Sequence, residues 1–86
     1  MMPEQKQIIR SRLLRQLDDT RIPIDLQTLA IGARLGGFRL DDAEVERELE
    51  YLIAKQFVSI SAAALSAGLK LYRITAAGTE CVEAAG

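Results

Sequence analysis

Apolar residues recur with two different periods along this chain. Ile9, Leu13 and Leu17, with Leu14 beside them, repeat at helical spacing, and Pro3 and Glu4 suit a first helical turn. The pattern predicts a first helix over residues 4–18, ended by the polar run Asp18-Asp19-Thr20-Arg21. Ile22-Pro23-Ile24 reads as extended, because proline disfavours helix in the residue before it. Pro23 has no N–H to give to a ladder, so this short strand belongs at a sheet edge. Asp25 is a good N-cap for a second helix, whose inward face is Leu26, Leu29, Ala30 and Ala33, with Leu35 closing it. Gly36-Gly37 stops that helix, and Phe38 and Leu40 are expected to plug the corner that follows. Val45, Leu49, Leu52 and Ile53 form the core stripe of a third helix, 42–55. Asp41 or Asp42 caps it, and Glu44 stands three residues after Asp41 as in a capping box. The opposite face presents Ala43, Glu44, Arg47, Glu50, Tyr51 and Ala54.

From residue 57 the period changes to two. Val58 and Ile60 alternate with Phe57 and Ser59, and Leu69, Leu71 and Arg73 alternate with Lys70, Tyr72 and Ile74. Their β-branched and aromatic content supports two strands. The Ala/Ser/Gly connection 62–68 would be the tip of a hairpin, or one helical turn, since alanine favours helix. Thr75 can cap a last helix of residues 76 to about 84, with Cys81 and Val82 as its main apolar residues. The expected class is α+β: three helices in the core, then a β-hairpin, then a short C-terminal helix. At 86 residues the expectation is one domain.

Two segments resemble a known family. Glu48-Leu-Glu-Tyr-Leu-Ile-Ala-Lys-Gln-Phe-Val-Ser-Ile60 resembles the end of the recognition helix and the first wing strand of winged helix-turn-helix regulators. Tyr72-Arg-Ile-Thr-Ala-Ala-Gly78 looks like their second wing strand and its exit. Where many regulators have glycine before the first wing strand, this chain has Gln56, so that turn is expected to differ. Asp25-Leu-Gln-Thr-Leu29, Gly36-Gly-Phe38 and Glu48-Leu-Glu-Tyr-Leu52 are also similar to small winged-helix proteins encoded in Mu-like prophages, a group with no firm activity to carry over. The winged-helix resemblance implies that the third helix enters a DNA major groove while the wing meets the minor groove or backbone. Arg34, Arg39, Arg47, Tyr51, Lys55 and Lys70 are the DNA-contacting residues it implies.

Charge complicates that implication. The net charge is −1 and the sequence pI about 5.4, whereas nucleic-acid domains are commonly basic. Residues 1–40 carry a net +3 and residues 41–86 a net −4. Arg10, Arg12 and Arg15 read as a solvated face of the first helix. The third helix opens with six carboxylates and one arginine between residues 41 and 50, which a duplex repels. Arg47 therefore has two readings, a fork on guanine or an intrahelical partner for Glu44 or Glu50. An alternative function uses the same fold as a protein-interaction module, with Glu44, Glu50 and the apolar tip residue Leu65 as its contacts. A weak homodimer at most is expected, through the first and last helices.

No enzyme is expected. With no histidine there is no imidazole base, Cys81 has nothing to activate it, and no Gly-Lys-Ser/Thr phosphate loop is present. Cys81, the one cysteine, reads as a small buried apolar residue, and no metal or other cofactor is expected. No apolar run approaches the roughly 20 residues of a membrane span, and the first residues lack the apolar core of a secretory signal. A reducing cytoplasm is the expected setting.

Overall fold

The structure is a computed structural model that describes residues 3–62 and 70–85. Helix α1 is Pro3–Thr20, strand β1 Ile24–Asp25, helix α2 Leu26–Leu35 and helix α3 Asp42–Ala54. Strands β2, Val58–Ala62, and β3, Lys70–Ile74, precede helix α4, Ala76–Ala85. The order of elements is the one the two periods predict. The connection 63–69, and with it Leu65, lies outside the described residues.

Helix α1 runs two residues past its expected end. The Thr20 hydroxyl donates to the carbonyls of Gln16 and Leu17, and Arg21 then leaves the helix at φ 59°. Ile9, Leu13, Leu14 and Leu17 are all buried. They meet Leu29, Ala30 and Ala33 of α2, and Val45, Leu49 and Leu52 of α3, in one core. The small Gly32 lets α1 come close to α2, since a Cβ there would strike the Gln16 amide. Leu40 plugs the α2–α3 corner, with Phe38 half-buried beside it. Leu35, expected to close α2 against the core, is 83% exposed. It lies six positions after Leu29, about 240° round the helix and off the buried stripe.

The three strands form an antiparallel sheet in the order β1-β3-β2. β1 is at an edge, as Pro23 requires. Tyr72, on the central strand between Ile24 and Ile60, is the largest fully buried side chain. Ile60 shares the face of buried Val58 yet is 48% exposed, because β2 runs out along the other edge. Cys81 and Val82 pack against the core from α4 and are half-buried, so Cys81 is less enclosed than its residue type implied.

Candidate nucleic-acid interface

Caps set where α3 starts and stops. Asp41 accepts the Glu44 N–H at 2.8 Å, and the Glu44 carboxylate accepts the Asp41 N–H at 3.3 Å, so the expected capping box is closed. At the other end the Gln56 N–H donates to the Ile53 carbonyl and the Phe57 N–H to the Leu52 carbonyl. That double bond pattern, with Gln56 at φ 67°, is the stop that glycine usually makes. Gln56 thus adopts the conformation of the glycine it replaces, and the turn does not differ as its side chain implied. The Thr75 hydroxyl donates to the Gln56 carbonyl at 2.7 Å and accepts the Gly78 N–H at 3.1 Å. The exit of α3 is thereby fastened to the capped start of α4.

The carboxylates of α3 are mostly engaged. Glu48 is only 5% exposed and accepts from Arg10 of α1 at 2.6 Å. Asp42 accepts from Arg34 of α2 at 2.7 Å, and Arg34 also donates to the Leu40 carbonyl at 3.0 Å. Asp41 and Glu44 are taken up by the cap. Glu46 and Glu50 enter no ion pair among the described residues. Burial foremost, and then the charge of Glu46 and Glu50, push the Tyr72 phenol above its ordinary pKa.

Arg47, Tyr51 and Lys55 share the outward face of α3, and all three are exposed. Arg47 makes no ion pair with Glu44 or Glu50, so its intrahelical reading fails in this geometry. Tyr51 is held from below: the Arg10 guanidinium carbon lies 3.5 Å from its ring centroid, and Lys55 Nζ lies 5.7 Å away. Arg34 is a tie between helices, with its guanidinium already committed. Arg39 is exposed in the turn, beside a shallow depression bordered by Leu40 and Glu44. Lys70 is exposed at the start of β3, opposite Ala62.

Arg10 is not on a solvated face, as its place in the sequence suggests, but is paired with Glu48 and stacked on Tyr51. One signal did exist. Glu48 sits three residues after Val45 and four before Leu52, at the margin of the core stripe, where a carboxylate needs a partner.

No protein-family model and no curated protein matches the chain. Solved structures do share its backbone. The adhesin competence repressor from Streptococcus pyogenes superposes with a TM-score of 0.76 at 12% identity, over 90% of this chain and 51% of its own. A PadR family transcription regulator from Clostridium difficile gives 0.76 at 18% identity, over 90% of this chain and 81% of its own. The fold is a winged helix. A probable transcriptional regulator from Pseudomonas aeruginosa gives 0.74 at 21% identity, over 98% of this chain and 55% of its own. The chain thus spans about half the length of two of these three proteins, and at such identities the likeness is one of fold. In winged-helix terms α2 and α3 are the helix-turn-helix, α3 stands in the recognition position, and β2 and β3 are the stem of the wing.

Proposed function

We propose that this winged-helix protein binds double-stranded DNA as a transcription-regulator-like module, and so works in the cytoplasm. The observation that carries the reading is the outward face of α3, where Arg47, Tyr51 and Lys55 stand together while four of the six neighbouring carboxylates are engaged by caps or arginines. The charge objection drawn from composition counts all six. Arginines offset two of them, Glu48 and Asp42, while Asp41 and Glu44 keep their charge within the cap and, with Glu46 and Glu50, still oppose a phosphate backbone.

In this reading Arg47, near the middle of the face, offers a guanidinium fork to a guanine edge. Lys55 neutralises a phosphate, and the Tyr51 hydroxyl bonds to another. Lys70 on the wing stem and Arg39 in the turn extend the contact to either side of α3. Arg34 contributes by holding Asp42, and so the first turn of α3, in place. The names of the three structural neighbours, all regulators or repressors, support the same class.

Fluorescence anisotropy with a labelled random duplex of about 25 base pairs, at about 50 mM salt, tests it. Binding in the micromolar range is expected, weakened by Arg47→Ala by about 1–3 kcal/mol for a preferred site. No binding at high micromolar protein would remove DNA and return the fold to a protein-interaction role through Glu50 and its neighbours. Glu44 is not a clean probe for that choice, since changing it breaks the cap of α3.

A further inference from the structure

Six large apolar side chains are strongly exposed among the described residues, and three of them, Ile8, Ile31 and Leu35, belong to one side of α1 and α2. Two open depressions adjoin there, one lined by Ile8 and Phe38 and the other by Leu35, and together they make a shallow groove. Arg12 and Arg15 border both depressions, and Asp19 borders the one that holds Leu35, so the excess positive charge lies toward Ile8. Ile31, one turn before Leu35 on α2, is also exposed but lines neither depression. Arg12 lies against the end of α2, where a Cβ on Gly36 would stand 2.9 Å from its guanidinium carbon. Neither Arg12 nor Arg15 enters an ion pair among the described residues. At 100° per residue they sit about 160° and 140° round α1 from Arg10, which faces α3.

We propose that this groove docks a short amphipathic helix of a partner protein, apolar along one face and acidic along its flanks. Leu35, Ile31 and Ile8 lose free energy in water and regain it only against an apolar surface. Two unpaired guanidinium forks beside that surface select carboxylates, which they meet bidentately. The α1 stripe from Ile8 to Asp19 spans about 16 Å, or three turns of a docked helix with anchors at i, i+3 or i+4, and i+7. A phosphate backbone satisfies the arginines and leaves the leucine and isoleucines wet. A second copy of this chain brings the same Arg12 and Arg15 to the seam, so a symmetric interface doubles the unpaired positive charge there. The groove uses no residue of the α3 face, so it stands or falls apart from DNA binding.

The test is selection of a surface-displayed library of amphipathic helices against the whole 86-residue chain. Enriched sequences are expected to carry Leu, Ile or Phe at the three anchor spacings with Asp or Glu beside them. A synthetic copy of the leading sequence should lose at least tenfold in affinity on the double variant Ile8→Gln/Leu35→Gln, and again on Arg15→Glu. All three positions are exposed, and unchanged thermal melting confirms that the variants fold. No enrichment, basic or neutral winners, or equal affinity for the variants overturns the proposal. So does a dimer seen by sedimentation that Leu35→Gln dissolves, which assigns the groove to a second copy. A loss of duplex affinity in Leu35→Gln overturns it as well, by assigning the groove to DNA.

Discussion

Gln56 and Gly37 stand at the same place in two helix endings. Each takes a left-handed backbone, φ 67° and 97°, one residue beyond the cap. Each is followed by a phenylalanine whose N–H reaches back five residues, Phe57 to the Leu52 carbonyl and Phe38 to the Ala33 carbonyl. Glycine reaches that conformation without a Cβ clash, whereas glutamine there costs about 1–2 kcal/mol. Part of that is offset because glycine is freer in the unfolded chain. Gln56→Gly is therefore expected to stabilise the protein by about 0.5 kcal/mol, raising the melting midpoint by a few degrees. A lower midpoint would mean the glutamine side chain contributes more than its backbone costs. Gly78 presents the opposite case. A Cβ there would collide with the Phe57 carbonyl oxygen, which already accepts the Thr75 N–H. Gly78→Ala should cost about 1–3 kcal/mol, read as a shift in the urea midpoint at unchanged slope.

Between elements, polar ties decide the angles that the apolar stripes leave open. Asp25 joins β1 to α2 and accepts from both the Thr28 hydroxyl, at 2.5 Å, and the Thr28 N–H. The hydroxyl bond foremost holds the Asp25 carboxyl below its ordinary pKa of 3.8. A depressed carboxyl pKa favours the ionised, folded form, so its contribution is complete above that value and fades as pH falls through it. Asp25→Ala should cost about 1 kcal/mol at pH 7, and the gap to the native chain should narrow in urea titrations near pH 3. An equal gap at both pH values would rule out the carboxylate as the source. The caps and stripes were legible in the sequence, because capping boxes, glycine stops and helical spacing are local. The turn at Gln56 is not legible from its side chain, because the surrounding bonds enforce the conformation that glycine usually takes. Arg10 and Glu48, 38 positions apart, were not legible as a pair, since only the crossing of α1 over α3 brings them together. Arg10→Ala would leave Glu48 charged and buried, at an expected cost of about 3 kcal/mol, and Arg10→Met with Glu48→Leu should recover most of it. Equal melting of the single and double variants would sink that account.

Across the whole molecule, folding redistributes charge that composition only totals. The first forty residues are basic and the remainder acidic, yet Arg10 and Arg34 cross from the basic part to neutralise Glu48 and Asp42 on α3. What is left on α3 is Asp41 and Glu44 in its cap, the unpaired Glu46 and Glu50, and the exposed Arg47, Tyr51 and Lys55. A duplex approaching this helix gains most if it tilts toward the Lys55 end, away from the cap, and the four carboxylates without a cationic partner set the ceiling on affinity. Arg39, Arg47, Lys55 and Lys70 make about four phosphate or base contacts available, so the logarithm of the binding constant should fall with the logarithm of salt at a slope near −3 to −4. Lys70→Ala should shorten that slope by about 1, nearly equally for all sequences. Glu50→Gln removes one repulsive charge without touching a cap or an ion pair, and should tighten binding severalfold at low salt with the gain shrinking as salt rises. If Glu50→Gln leaves duplex affinity unchanged while Arg47→Ala abolishes it, the duplex lies away from the acidic edge altogether. If neither change alters affinity, α3 is not the helix that meets DNA.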